Sequence, residues 1–325
     1  VYKRQDEEVE YLCDGVTESL INTLAQVPDL KVISRISAFS LKGEDIDPAV
    51  VGDRLDVDAL LFGRVVRHGD DLDISTELVA AKDSRQLWGE RYTRPVGEVQ
   101  SISHDITGTI AKTLRVELAG GEELLKRRSA ADPEAYRLYL KGLYFTTGTR
   151  REMDSAIDSY RQAIALDQNF ALAWAGLAHT YSRQLFLRGL EREPTFGLAT
   201  EAARKAMELD PDLPEASTAS GLIKMYFDWD WAGAEADLRR GYERSDGTVP
   251  PVMTYGDFCI FTTNYDKAVE LHSRAEELDP LSHVTAHDLG FTYMAMKEYA
   301  KAAAQFRRAL DLNPNWVWGH IKLGK

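Results

Sequence analysis

A spacing of 34 residues recurs in the carboxyl-terminal half of this chain of 325 residues. Gly256, Gly290 and Gly324 stand at this interval. Alanines and prolines around them repeat with the same period, at Ala268 and Ala302, Ala275 and Ala309, and Pro280 and Pro314. Small residues suit places where two helices touch and proline suits a helix exit, so the period predicts stacked two-helix units. Arrays of this kind usually bind other molecules rather than catalyse reactions.

Composition limits the classes of partner. The chain is 44% hydrophobic and 28% charged, which suffices for two ordered domains of roughly 150 residues each. A formal net charge of -13 disfavours a nucleic-acid surface, because neutralising phosphates requires clustered lysines and arginines. The longest basic runs cover only residues 126–128 and 150–151. Cys13 and Cys259 fall in different predicted domains, so neither a disulfide framework nor a zinc site is encoded.

The two ends of the chain predict a fragment of a longer protein. It begins at Val1, which is not a methionine, and stops at Lys325 inside the first helix of a further predicted unit. Residues 1–5 show no helical or strand period, and no function is assigned to them. No run approaches the ~18 apolar residues of a membrane span. A soluble domain of the cytoplasm or the periplasm is expected, and any membrane anchor would precede Val1.

Residues 6–118 predict an α/β domain, a mixed sheet with helices. Asp14 is expected to cap a helix that ends at Pro28. A strand is expected at 30–34 and a short helix at 48–55. Three further strands, separated by turn residues, are predicted at 59–67, 72–80 and 86–93. A final amphipathic helix carries apolar residues three or four positions apart, at Val99, Ile102, Ile106, Ile110, Leu114 and Leu118.

Several short segments of this domain carry a family resemblance. They are EYLCDGVTE at 10–18, VISR at 32–35, Phe39, KG at 42–43, Gly63 and LWGERY at 87–92. Together they resemble the TolB-like amino-terminal domain of bacterial multidomain regulators, over about residues 7 to 118. In that family the domain usually begins with a buried strand before the acidic run, and this chain lacks that strand. The resemblance implies a domain that senses a signal or organises its neighbours.

Residues 119–132 are predicted to be a linker. The sequence GGEELLKRR at 120–128, with AYRLYLKG at 135–142, resembles bacterial proteins in which this pair of domains follows a serine/threonine kinase domain. Related chains carry a winged-helix DNA-binding domain or a nucleotide cyclase instead. The resemblance therefore implies the sensory or docking half of a signalling protein, without identifying the output half.

Residues 133–325 resemble tetratricopeptide repeats, which implies an all-α solenoid of five repeats and a truncated sixth. Between Tyr181 and Ala199 the second repeat has an insertion of roughly nine residues, which predicts a lengthened turn. In the third repeat the sequence DWDW at 228–231 falls at the turn between the helices. Its two tryptophans are expected to pack these helices together rather than to contact a partner.

The resemblance also implies a binding groove on the concave face of the solenoid. In this family the groove is lined by positions 2, 5, 9, 12 and 13 of each first helix, counting the small packed residue as position 8. Mapped onto this chain, the lining residues are His179, Arg183, Leu222, Met225, Tyr226, Met253, Asp257, Ile260, Phe261, His287, Phe291 and Met294. The set lacks the lysine and asparagine with which chaperone-binding repeats hold a peptide carboxylate. An extended or helical apolar peptide is the expected ligand. The alternative is that several of these residues pack against neighbouring repeats.

No catalytic, cofactor-binding or metal-binding motif is present in the sequence. It contains neither the kinase motifs nor GxxxxGK followed by serine or threonine. His283 and His287 lie four residues apart on a predicted helix, but no third ligand is placed and HExxH is missing, so surface or groove histidines are expected. Asp14-Gly15 at a helix start could bind an anion, although an ordinary cap is favoured.

These observations favour a non-catalytic regulatory module of a bacterial signalling protein that binds a protein or peptide in its groove. One alternative is the carboxyl-terminal regulatory half of a serine/threonine kinase or an adenylate cyclase. Another is the effector half of a winged-helix transcriptional regulator. What precedes Val1 distinguishes these alternatives.

Overall fold

The molecule has an amino-terminal sheet with helices and a carboxyl-terminal stack of helices. The computed structural model describes residues 7–27, 30–43, 47–114, 125–126, 128–146, 150–188, 194–245 and 248–324. The predicted stub at 1–5, Pro28 and Leu118 lie outside these ranges. The amino-terminal helices are α1 (Glu7–Leu24), α2 (Arg35–Ser40), α3 (Pro48–Leu55) and α4 (Val99–Leu114). The strands are β1 (Ala59–His68), β2 (Asp71–Ala80) and β3 (Gln86–Pro95).

The sheet is antiparallel throughout the described residues, in the order β1-β2-β3. Consecutive strands are joined by short turns, which permit antiparallel pairing only, so the prediction of a mixed sheet is wrong. Leu72 and Ile74 on β2 are buried in one core with Leu20 of α1 and Ile106 of α4. The region therefore fits the α/β class only loosely, as a small sheet with helices packed on one face.

Two further amino-terminal predictions are wrong, while the short helix and the three strands lie where the sequence places them. The first helix begins at Glu7, so Asp14 lies inside it and caps nothing. Instead, Asp14 Oδ1 accepts a hydrogen bond of 2.6 Å from Lys42 Nζ. Residues 30–34 do not form a strand, because this segment makes its backbone contact with the helical stack rather than with the sheet.

The remaining helices pack as antiparallel pairs. They are α5 (Pro133–Thr146), α6 (Arg150–Leu166), α7 (Ala171–Arg188), α8 (Thr195–Leu209), α9 (Pro214–Ile223), α10 (Trp231–Arg244), α11 (Val249–Phe261), α12 (Tyr265–Leu278), α13 (His283–Ala295), α14 (Tyr299–Leu312) and α15 (Val317–Leu323). From α5 to α13, each first helix also touches the first helix of the next pair. These first helices form the inner layer of a solenoid. Because α7 continues to Arg188, part of the predicted insertion lengthens a helix rather than a turn.

Close packing within the first two pairs depends on one tyrosine. Gly142 and Gly176 both face the ring of Tyr160, and a Cβ at these glycines would lie 2.5 and 2.6 Å from ring atoms. Only glycine permits this approach. Tyr160 is fully buried, and its hydroxyl hydrogen-bonds with the hydroxyl of Thr146 at 2.9 Å. In the fourth pair, His272 occupies the position that faces the packed glycine.

One extra residue in the third pair is absorbed by a π-helical turn. The small packing residues of the two helices are 13 positions apart in this pair, from Gly221 to Ala234, but 12 apart in the fourth and fifth pairs. A π turn at Lys224–Asp228 follows α9, and Trp229 comes next with a positive φ of 59°. Single π turns are frequent at functional sites. Met225 within the turn is buried in the core, while Trp229 directly after it is exposed to solvent.

The segment around α2 is fastened to the turn between α12 and α13. Ser34 N–H donates to the carbonyl of Leu278 at 2.8 Å. Ser37 N–H donates to Asp279 Oδ1 at 2.7 Å, and Leu281 N–H donates to Ser37 Oγ at 2.8 Å. We call these three hydrogen bonds the clasp. They join the amino-terminal region to the fourth helical pair.

The clasp replaces a local bond that other turns of the solenoid make. At the corresponding turns, an aspartate or asparagine side chain accepts a hydrogen bond from the backbone N–H two residues later. Examples are Asp167, Asp210 and Asn313. In the fourth pair, Ser37 stands between the two partners, Asp279 and Leu281, and bonds to both. At this turn, the amino-terminal segment therefore supplies the hydrogen-bond partners that the other turns provide within themselves.

Replacing Ser37 with alanine should destabilise the fold by about 1–3 kcal/mol, because the N–H of Leu281 loses its acceptor in a largely dry contact. Urea unfolding followed by circular dichroism measures the change. Ser101→Ala is the matched control, since Ser101 is exposed and bonds only to its own turn at Glu98. Equal midpoints for the two variants would contradict the clasp.

Candidate functional site

The open part of the groove lies on the first helices of the third, fourth and fifth pairs. Tyr226 and Phe261 meet edge to face with ring centroids 5.9 Å apart, and Phe261 is 52% exposed. Phe291 lies on α13, and Lys322 Nζ lies 5.0 Å from its ring centroid. Three further predicted groove residues are half-buried beside these rings, namely Leu222, Met253 and Met294.

Two predicted groove residues are buried in the core, so their assignment to the groove lining is wrong. Met225 is 2% exposed and Ile260 is 8% exposed, and both belong to the hydrophobic cluster between the third and fourth pairs. Each lies four residues after the packed glycine of its helix, Gly221 or Gly256, and in these two pairs that position faces the core. These residues support the groove from beneath.

The second pair contributes little open surface. His179 and Arg183 lie on α7 and are both half-buried. Burial lowers the pKa of Arg183, and the nearby positive charge of Arg35 lowers it further. Burial, together with Arg183, also lowers the pKa of His179 to about 4. Because Arg35 begins α2, the amino-terminal region lies near this part of the inner layer.

A polar cluster lies beneath the aromatic residues. His272 Nδ1 is 2.7 Å from Thr292 Oγ1, and His272 Nε2 is 3.6 Å from Asp257 Oδ1. On the neighbouring helix, His287 Nδ1 is 2.9 Å from Asp288 Oδ1. The two carboxylates are therefore each adjacent to a histidine ring.

Burial sets the charge state of this cluster. Burial raises the pKa of Asp257 well above its usual value, and the negative charge of Asp288 raises it further. Burial lowers the pKa of His272, which keeps its imidazole neutral near pH 7. The pKa of Tyr226 is raised, first by burial and then by the charges of Asp257 and Asp288. Asp257, Asp288 and Tyr226 therefore lie close enough to influence one another's ionisation.

Sequence reasoning missed several residues of this surface. Trp229 is 66% exposed, so the prediction that it packs the two helices together is wrong. Trp231 does pack, with its ring 6.2 Å from that of Phe258, and the two tryptophan rings are 6.0 Å apart. His272 was also not identified from the sequence. It could have been found because the residue that faces the packed glycine is aromatic or aliphatic in the other pairs.

The histidine pair on α13 contacts an aromatic ring as well as polar side chains, Asp288 beside His287 and Asn313 beside His283. The rings of His283 and His287 have centroids 4.5 and 6.1 Å from that of Trp316. In the described part of the chain, no three His, Cys, Asp or Glu side chains gather in a metal-binding group. Within the same ranges, no helix combines the length and apolar character that crossing a bilayer requires.

Comparison with known proteins identifies the repeat. The model of the family described as "Tetratricopeptide repeat" matches residues 285–316. The human protein in the structure "Human IFIT1 dimer with m7Gppp-AAAA" aligns with a TM-score of 0.51 at 17% identity, covering 69% of this chain and 51% of that one. That likeness shows the fold alone. The structure "Crystal structure of YrrB: a TPR protein with an unusual peptide-binding site" aligns over 61% of this chain, with a TM-score of 0.40 and 18% identity.

A curated relative matches part of the chain. The protein named "Putative adenylate cyclase 3" from Rhizobium meliloti (strain 1021) is 37% identical over 137 residues, 42% of this chain. The chain spans only 23% of that protein's length. Taken together, the comparisons show a tetratricopeptide-repeat match at residues 285–316 and a mostly helical solenoid fold.

Proposed function

We propose that this chain is a non-catalytic regulatory module that binds a protein or peptide partner in the groove of α9, α11 and α13. The observation that carries the proposal is the exposed aromatic surface on the inner layer, where Phe261 is 52% exposed beside Tyr226. Large apolar side chains that remain open to solvent in a concave surface mark interaction sites. Methionine side chains beside them adapt to ligands of different shape.

The proposal assigns separate roles to the two parts of the chain. Residues 6–118 act as a TolB-like domain that senses a signal or organises its neighbours, 119–132 as a linker and 133–325 as the binding repeats. Since α2 lies beside Arg183 and the clasp holds it there, the groove available to a partner is confined to the third, fourth and fifth pairs.

We infer further that the module belongs to a larger signalling protein. The partial match to a protein named as an adenylate cyclase favours a cyclase over the kinase and winged-helix alternatives. Reading the coding DNA upstream of Val1 tests this inference. A cyclase domain in frame is the expected result, whereas a kinase or winged-helix domain there would replace it.

Selection of peptides from a phage-displayed library of random dodecapeptides tests groove binding. The affinity of the selected peptides for the Phe261→Ala and Tyr226→Ala variants should be lower than for wild type by about tenfold or more. The reason is that truncating a central aromatic contact usually costs about 2 kcal/mol or more. Tyr299→Ala is the matched control, since this ring is 66% exposed and begins α14, outside the groove. Equal affinity for all of these proteins would place binding elsewhere.

A further inference from the structure

Two carboxylates in the groove lack a cationic partner. Asp257 lies on α11 and Asp288 on α13, the next helix of the inner layer. Their only ion-pair neighbours in the described ranges are histidines, and no lysine or arginine nitrogen there lies within 4.0 Å of either carboxylate. By contrast, Asp237 on the preceding second helix is paired with Lys224 at 2.6 Å. Within the described ranges, neither groove carboxyl group therefore has a lysine or arginine beside it.

His272 does not supply a positive charge to Asp257. His272 is 1% exposed and hydrogen-bonded to Thr292, and its burial favours the neutral ring near pH 7. His287 Nδ1 lies 2.9 Å from one oxygen of Asp288, within hydrogen-bonding distance. Burial and the charge of Asp288 together disfavour ionisation of Asp257, as its raised pKa reflects. A cation placed between the two carboxylates would reverse that effect.

The aromatic residues around the carboxylates suit an organic cation. Lys322 Nζ already lies 5.0 Å from the centre of the Phe291 ring, which shows that this face accepts an ammonium group. The Tyr226 and Phe261 rings meet edge to face, and the charge of Asp257 acts on the Tyr226 hydroxyl. Carboxylates flanked by aromatic faces provide both charge pairing and cation–π contact for lysine or arginine.

We propose that the partner of the groove presents a lysine or arginine side chain, held by Asp257 and Asp288 between the rings of Tyr226, Phe261 and Phe291. Apolar residues of the same peptide lie on Met253 and Met294. This inference rests on the proposed function and adds the chemical class of the partner. The net charge of -13 also attracts a basic segment over longer distances. A metal ion fits less well, because hard cations require six or more oxygen ligands and no group of three ligating side chains occurs in the described ranges.

Synthetic peptides test the inference without altering the protein. A dodecapeptide from the selected set, acetylated at one end and amidated at the other, is compared with copies in which lysine is replaced by norleucine or arginine by citrulline. Fluorescence anisotropy should show binding about tenfold or more weaker for the neutral copy, because the carboxylates lose their partner. If the selected peptides carry no basic residue, or the neutral copy binds equally, the inference fails while groove binding survives. If no peptide binds the groove, both fail.

Variants of the carboxylates give the complementary measurement. Asp257→Asn and Asp288→Asn should each weaken the basic peptide about tenfold and leave the neutral copy unchanged. Asp311→Asn is the matched control, since Asp311 is exposed on α14, a second helix. Equal thermal unfolding of the variants shows that they fold. Unchanged affinity in both groove variants would overturn the inference.

Discussion

Tyr160→Ala should lower the free energy of unfolding by about 3–5 kcal/mol, the usual cost of truncating a large buried aromatic side chain. The ring is fully buried and fills the space left by Gly142 and Gly176, so it joins the first helical pair to the second. Truncation also removes the hydroxyl that bonds to Thr146. The two residues that face the ring are glycines and have no side chain that could move into the vacated space. The cavity left by the truncation should therefore persist.

Urea unfolding of wild type and Tyr160→Ala, followed by circular dichroism, measures the loss. Tyr299→Ala is the control, because the same truncation at a ring that is 66% exposed should change stability by about 0.5 kcal/mol or less. A Tyr160→Ala protein as stable as this control would contradict the packing described for the first two pairs.

Glu215→Ala should destabilise the protein by about 3 kcal/mol, because it leaves a buried guanidinium without its carboxylate. Arg128 is 3% exposed, and its Nη2 donates to Glu215 Oε1 at 2.8 Å. Its Nε and Nη1 have no hydrogen-bond partner among the described residues, so the positive charge of Arg128 is balanced by the Glu215 carboxylate. The ion pair connects the segment before α5, the first helix of the first pair, to α9, the first helix of the third pair.

Two comparisons isolate the effect of burial. Glu277→Ala breaks an ion pair with Arg274 that is exposed on both sides, and it should cost about 0.5 kcal/mol or less. Arg128→Met combined with Glu215→Met removes both charges and should be more stable than Glu215→Ala alone. Equal losses for Glu215→Ala and Glu277→Ala in thermal unfolding would contradict a buried ion pair at Arg128.

Much of the helical architecture could be predicted from local pattern. The 34-residue period identifies pairs of helices because small residues recur wherever two helices touch, as at Gly256 and Gly290. The strands of the sheet were also predictable, since β2 alternates apolar and polar residues. The clasp was not, because Ser37 and Asp279 are 242 positions apart and each is an ordinary polar residue in its own segment.

Part of the candidate site could be located from repeat positions, and part could not. Tyr226, Phe261 and Phe291 were identified by counting from the packed glycines. The count failed at Met225 and Ile260, because both side chains pack into the core between the third and fourth pairs, a contact that repeat position alone does not show. It also could not show that α2 lies beside Arg183, since that contact depends on how the amino-terminal region packs on the solenoid.

The central claim, that a partner binds in the groove of the third to fifth pairs, is tested most directly by methyl nuclear magnetic resonance of the six methionines. Met253 and Met294 report on the groove, while Met153 and Met207 lie on second helices of the first two pairs. Saturating the labelled protein with the selected peptide should shift the signals of Met253 and Met294 and leave those of Met153 and Met207 unchanged. Shifts at Met153 or Met207, with Met253 and Met294 unmoved, would contradict the account.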